Sequence, residues 1–239
     1  MKTNRVILNR EFWVGVSIAS AVRVCANDST RSTHSDRGAG KNLLNDIQGL
    51  VGEFAAIRRL EHIHGSDRVH HDLASFSGPV DGADVRIDTA SGPTLLDIKC
   101  LLIEPNKRYF LVNARVPERS IARGVTGFVP VLSVIGGSVA IIGREIPVEE
   151  MAAWPQNDFG LSDLAIGIPI GDACWRYFSD DWGMIQHELE EGRNTHGHLN
   201  GDLDAIAERA KARYRSGWRP QVAEIGVHGI IGSLIADMP

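Results

Sequence analysis

Four residues of this 239-residue chain combine type and spacing in a way that suggests chemistry: Glu53, Asp84, Asp97 and Lys99. Asp97 and Lys99 stand two apart in the run Leu95-Leu96-Asp97-Ile98-Lys99. On a strand, that spacing gives them one face and gives Ile98 the other. Residues 85–87 are β-prone, and residues 89–93 (Thr-Ala-Ser-Gly-Pro) carry turn chemistry, so residues 94–99 are expected as the second strand of a hairpin. A turn centred between Ala90 and Ser91 sets Asp84 directly across from Asp97. Opposed residues of an antiparallel pair share a face. Asp84, Asp97 and Lys99 are therefore expected to project together, with Asp81 near the mouth of the hairpin.

Two carboxylates so placed repel, and burying both is costly unless a cation neutralises them. Mg²⁺ suits the pair, because it prefers hard oxygen ligands and keeps several waters. A lysine one step along the strand can orient or deprotonate an attacking water. It also sets positive charge where a phosphate transition state gathers negative charge. Glu53 is the third carboxylate available. The chemistry implied is metal-dependent attack of water on a phosphodiester.

The elements that must position these groups are legible in outline. From Asn45 the apolar residues Ile47, Leu50, Val51, Phe54, Ala55, Ile57 and Leu60 recur at helical spacing. Asn45 or Asp46 can cap the start and Gly65 follows the end. Gly49 and Gly52 each cost such a helix about 1 kcal/mol relative to Ala, which points to close packing of the helix against something. Glu53 lies at the edge of its apolar face. Residues 108–114 are expected as a third strand. Residues 127–135 and 138–142 are expected as a hairpin about Gly136-Gly137, followed by a short helical stretch near residues 145–154. Residues 27–41 read as a polar loop. Residues 202–214 read as a helix, and residues 222–235 as a strand or packed tail.

The order Gly52-Glu53 on a helix, Asp84 at the opening of a strand and Asp97-Ile98-Lys99 on the next resembles the PD-(D/E)xK, or restriction-endonuclease-like, superfamily of nucleases. The resemblance covers roughly residues 45–114. It implies an α/β fold, a restriction-endonuclease-like core with a central mixed β-sheet flanked by helices. It implies hydrolysis of DNA, less often RNA, with Mg²⁺ or Mn²⁺. By position it makes Asp84 and Asp97 metal ligands, with the Ile98 carbonyl as a further ligand, Lys99 the catalytic lysine and Glu53 the helix-borne acid. The family's proline is not adjacent to the aspartate here: Pro79 precedes Asp81, and Ala83 precedes Asp84. The choice between Asp81 and Asp84 stays open on that ground, while the hairpin register favours Asp84.

Other groups have weaker claims. His62, His64, His70 and His71 cluster in sequence, but a helix end and a solvated loop account for them. Arg115, Arg119 and Arg123 recur every four residues and, with Lys107 and Arg108, are candidates to contact a nucleic-acid backbone. Pro117 argues against a continuous helix there. The basic run Arg209, Lys211, Arg213, Arg215 and Arg219, with Tyr214 and Trp218, reads as a backbone-binding tail or as a solvated helix end. Gly38-Ala39-Gly40-Lys41 lacks the spacing of a phosphate loop, and no nucleophile-elbow serine motif occurs.

Composition bounds the remaining classes. Hydrophobic residues are 43% and charged residues 23%, which excludes disorder as the overall state. A net charge of -5 confines any nucleic-acid contact to a local patch. Cys25, Cys100 and Cys174 form no zinc or CxxC spacing, and so few scattered cysteines fit a reducing, cytoplasmic setting. Residues 12–21 superficially resemble a secretory leader, but Glu11 and Arg23 on either side favour a buried strand or helix. No run reaches the length of a membrane span. The expected organisation is a nuclease core over residues 1–154, with catalytic elements at 45–114. Residues 155–239 form an extension packed on it that reads substrate or forms a dimer. Nucleic acid, DNA foremost, is the expected partner, with a homodimer or an activating protein also in view. The alternatives are an RNA-directed nuclease of the same fold and a non-catalytic nucleic-acid-binding subunit.

Overall fold

The structure is a computed structural model that describes residues 5–9, 12–13, 15–16, 19–20, 39–71, 83–102, 109–133, 139–157, 164–169 and 187. In chain order its elements are β1 (Arg5–Ile7), α1 (Ala39–His64), β2 (Val69–His71), β3 (Val85–Thr89), β4 (Gly92–Leu102), β5 (Tyr109–Asn113), α2 (Val116–Ala122), β6 (Gly127–Ser133), β7 (Val139–Ile142), β8 (Ile146–Pro147), α3 (Val148–Ala152), β9 (Gln156–Asn157) and β10 (Ala165–Pro169). The fold is α/β. A central sheet runs β1-β7-β6-β4-β3-β2, with β8 added on β6, and a smaller sheet runs β5-β10-β9. The central sheet is mixed: β4 and β6 pair in parallel and its other neighbours pair antiparallel.

The β3–β4 hairpin forms in the expected register. Val85 pairs with Leu96, Arg86 with Leu95 and Thr89 with Gly92. Gly92, at φ +117°, closes the turn in a conformation that L side chains rarely adopt. β4 continues to Leu102, past the expected end at Lys99, because β6 pairs alongside it from Leu96 to Leu102. Asp97 and Lys99 are therefore mid-strand. The β6–β7 hairpin is also in the register of a turn at Gly136-Gly137, with Leu132 opposite Ile141.

α1 is the longest helix among the described residues. Its periodic apolar residues Ile47, Leu50, Val51, Ala55 and Leu60 pack with Val85, Ile87, Leu96, Ile98, Val129 and Val131 on one face of the central sheet. It starts at Ala39, six residues before the expected cap. Residues 39–44 carry little apolar periodicity, but a helix already nucleated adds a turn at little cost. At Gly52 the helix backbone approaches β4 directly: a Cβ there would overlap the Cβ of Cys100 and lie 3.4 Å from its Cα. Trp13, Val16 and Ala19, in the segment that superficially resembles a leader, are helical and buried in the same core.

The other face is covered differently. Phe110, Val112, Ile166 and Ile168 of the small sheet pack with Leu101, Phe128, Leu132, Ile146, Met151 and Trp154. β10 and β9 lie beyond residue 154, yet β10 pairs along the whole of β5. Apolar β10 is short and interrupted by Gly167. A Cβ at that glycine would overlap the Leu111 side chain, so close strand approach, not sequence period, dictates it. The helix and tail expected over residues 202–235 lie outside the described residues.

Candidate active site

Alternation along β4 sends Leu96, Ile98 and Cys100 toward α1 and Asp97, Lys99 and Leu101 to the other face. Asp84 lies just before β3, one step beyond the Val85–Leu96 pair and so opposite Asp97. Its Oδ2 accepts a hydrogen bond from the Ile98 backbone N–H at 2.6 Å, which ties the loop before β3 to β4. Lys99 reaches the same place: its Nζ is 3.6 Å from Asp97 Oδ2 and 4.0 Å from Asp84 Oδ2. Nζ also donates to the Ile98 carbonyl at 3.3 Å and lies 5.6 Å from the centroid of the Phe128 ring. Two carboxylates and a backbone carbonyl thus converge on one cationic point.

The aspartates are unequal. The Asp97 side chain is 3% exposed, against 30% for Asp84. Burial of a charge requires partners, and α2 supplies them. Ser120 Oγ donates to Asp97 Oδ2 at 2.8 Å, and Arg123 Nη2 donates to the same oxygen at 2.9 Å. Pro117 sits in the first turn of α2, where its missing N–H has no helical partner to lose. Gly124, at φ +79°, ends the helix, with its N–H bonded to the Ile121 carbonyl and that of Val125 bonded to the Ser120 carbonyl. Just beyond this turn, the Thr126 N–H and hydroxyl both donate to the Leu95 carbonyl, at 2.8 and 3.0 Å. The helix end is thereby fixed against β4, with Ser120 and Arg123 aimed at Asp97.

The structure therefore brings Asp84, Asp97, Lys99 and the Ile98 carbonyl together. It does not gather Glu53 into the same group. Gly52, its neighbour on α1, packs on Cys100, so Glu53 belongs to the opposite face of β4. Burial pushes the Cys100 thiol well above its usual range, and the nearby Glu53 carboxylate pushes it further. Among the described residues, no three or more His, Cys, Asp or Glu side chains form a group able to hold a metal ion. Asp81 lies outside the described residues.

Of the basic candidates, Arg123 meets a carboxylate rather than standing free for phosphate, and its Nε donates to the Arg119 carbonyl at 3.3 Å. Arg115 and Arg119 are exposed on α2. Lys107, Arg108 and the basic run at 209–219 lie outside the described residues. Sequence reasoning missed Ser120 altogether. Its only signal is position, three residues before Arg123 and so one helical turn away on the same side. The histidines behave as surface groups. His70 Nε2 lies 2.9 Å from Asp88 Oδ2 and His71 Nε2 lies 3.9 Å from Glu61 Oε1, while His62 and His64 are exposed at the C-terminus of α1.

The donor set can be weighed against a divalent cation. Two carboxylates and a carbonyl are hard oxygen donors of the number Mg²⁺ uses when waters complete its shell. They already face a common point occupied by a lysine ammonium. In kind and direction the residues fit Mg²⁺ or Mn²⁺. No protein-family model, curated protein or solved structure matches the chain. Among the described residues, no helix is long and apolar enough to cross a membrane.

Proposed function

We propose that the chain is a metal-dependent nuclease, a phosphodiester hydrolase acting foremost on DNA, built on a restriction-endonuclease-like core. One observation carries the reading: the Lys99 ammonium lies within 4.0 Å of both Asp84 and Asp97, on a hairpin whose register sets the two aspartates opposite each other. The mixed central sheet with α1 on one face supports the fold part of the proposal.

In this reading Asp84, Asp97 and the Ile98 carbonyl hold Mg²⁺ or Mn²⁺. When bound, the cation supplies positive charge at the scissile phosphate and makes water easier to deprotonate. Lys99 orients the attacking water and adds a second positive charge where the phosphorane-like transition state is most negative. The Phe128 ring, 5.6 Å from the ammonium, gives Lys99 a contact that a cation on the carboxylates would leave in place. Burial of Asp97 holds its carboxylate in one orientation, and partial exposure of Asp84 leaves the substrate side open. Glu53 stands outside this group and acts through the α1–β4 contact. Arg115 and Arg119 are exposed and suited to backbone phosphates. The role of residues 155–239, whether substrate reading or dimer formation, belongs to the same proposal.

The test is cleavage of supercoiled plasmid, linear duplex, single-stranded DNA and RNA with Mg²⁺, Mn²⁺ or EDTA, beside Lys99→Ala. Cleavage that needs the metal and falls at least ~100-fold in the variant is expected, in line with the loss of a pre-organised charge at a transition state. Preference for RNA would move the substrate assignment and keep the chemistry. No cleavage by the folded protein under any of these conditions would refute a self-sufficient nuclease and favour a nucleic-acid-binding subunit.

A further inference from the structure

The carboxylates of Asp84 and Asp97 are already neutralised by the protein itself. Lys99 and Arg123 balance Asp84 and Asp97 one for one, and both cations meet the same Asp97 oxygen, at 3.6 and 2.9 Å. A divalent cation on these carboxylates would bring two further positive charges into a pocket where Asp97 is 3% exposed. At such short range and with little solvent, like charges repel strongly. One protein cation must yield.

Three of the four groups around the Lys99 ammonium, Asp84, Asp97 and the Ile98 carbonyl, are those a divalent cation would take. Lys99 would therefore shift beside it, kept near by the Phe128 ring and its place in the middle of β4; Arg123 is the cation able to leave Asp97 for solvent. Among the described residues, Arg123 meets Asp97, Ser120 and the carbonyl of its own helix turn. Its side chain is 38% exposed, and it stems from the end of α2, one residue before left-handed Gly124. A rotation about its own side-chain bonds carries the guanidinium to solvent without moving the strand. Ser120 Oγ remains on Asp97 as an uncharged donor.

We propose that Arg123 and a divalent cation compete for the Asp97 carboxylate, and that a nucleic-acid phosphate, by drawing Arg123 away, favours the cation. The proposal rests on the nuclease reading of this site. Guanidinium pairs with phosphate as readily as with carboxylate, and Arg119, one helical turn earlier, is exposed beside it. Substrate and metal affinities are then coupled, and by linkage the coupling is reciprocal. An enzyme built this way binds its metal weakly until a phosphodiester backbone is docked.

The test is calorimetric titration of the full chain with Mn²⁺, with and without a phosphorothioate duplex that resists cleavage. Wild type is compared with Arg123→Met, Asp97→Asn and, as an exposed arginine paired with Glu150, Arg144→Met. Tenfold or greater tightening of Mn²⁺ binding in Arg123→Met is expected, with no change in Arg144→Met. The duplex should tighten Mn²⁺ binding to wild type but add nothing to Arg123→Met. Equal or weaker Mn²⁺ binding by folded Arg123→Met overturns the competition while leaving the nuclease reading intact. Should Arg123→Met not fold, an unchanged wild-type affinity with and without duplex overturns the proposal by itself. Failure of both wild type and Arg123→Met to bind Mn²⁺ with or without duplex, or binding that survives Asp97→Asn, overturns the metal-site reading and the competition with it.

Discussion

Gly49 and Gly52 are one helical turn apart on α1, and the structure assigns their replacement by alanine opposite signs. In an open helix, Gly→Ala is stabilising by ~0.5–1 kcal/mol, because alanine loses less backbone freedom on folding. At Gly49 that gain is available. The nearest atom to an added Cβ is Glu53 Oε1 at 3.7 Å, an ordinary contact with the end of a flexible side chain. At Gly52 the same Cβ would overlap the Cβ of Cys100 and come within 3.4 Å of its Cα and Sγ. Overpacking costs about 1–3 kcal/mol. The upper end applies, because the obstruction is the root of a strand residue and cannot swing aside. Set against a gain of ~1 kcal/mol, the net loss is about 2 kcal/mol. For a chain of this size each kcal/mol moves Tm by about 2–4 °C. Gly49→Ala should therefore raise Tm by roughly 1–4 °C and Gly52→Ala lower it by roughly 4–8 °C in thermal melts, with urea midpoints moving in the same directions. Gly52→Ala also pushes on β4 one residue from Lys99, so in the nuclease reading it slows cleavage without altering any reacting group. Stabilisation by both substitutions would refute the close approach of α1 to β4, and with it the placement of Glu53 on the face away from Asp97.

Three further outcomes follow from individual contacts. Ser120→Ala removes a fully buried donor to a charged carboxylate and should lower unfolding free energy by about 1.5–3 kcal/mol, whereas Asp97→Ala removes the partner shared by Ser120, Lys99 and Arg123 and should cost at least as much; urea titration ranks the two. His70 and then Arg86 hold the exposed Asp88 carboxyl below its usual value of 3.8. Its stabilising contribution is therefore present above that value and is lost as pH falls through the depressed one, so Asp88→Asn should narrow its stability gap to wild type on the acid limb and leave the neutral-pH gap constant. In a chain with Cys25 and Cys174 replaced by serine, Cys100 should alkylate far more slowly at pH 8 than an unhindered thiol, and Glu53→Gln should speed it by removing the nearby negative charge; no change with Glu53→Gln would move Glu53 away from Cys100.

What was legible in the sequence is what depends on local period. The β3–β4 hairpin follows from a two-residue alternation on each side of Ala90-Ser91, and one residue of slip would have separated Asp84 from Asp97. The same holds for Leu132 and Ile141 about Gly136-Gly137. The small sheet was not legible. β10 is five residues with a glycine at its centre, and what makes it a strand is its fit to β5, more than fifty residues earlier. The face taken by Glu53 was equally hidden. Helical period places Glu53 beside Gly52, but only the contact of Gly52 with Cys100 tells which side of β4 the helix covers.

The surroundings of Asp97 show why the site itself was only half visible. Asp-x-Lys spacing fixes two groups on one strand face, and a hairpin adds the third. Charge compensation is a different kind of property, because it depends on which distant side chain reaches a buried oxygen. Arg123 and Ser120 lie 26 and 23 residues from Asp97, on a helix whose end is set by Gly124 and by the Thr126–Leu95 bonds. From sequence, the repulsion of two opposed carboxylates argued for a metal ion. In the fold, the protein's own lysine and arginine already balance that charge. The carboxylate pair alone therefore does not demand a metal. The nuclease reading rests instead on the convergence of Asp84, Asp97 and the Ile98 carbonyl on a single cationic point, which the hairpin register and the strand alternation of β4 together produce.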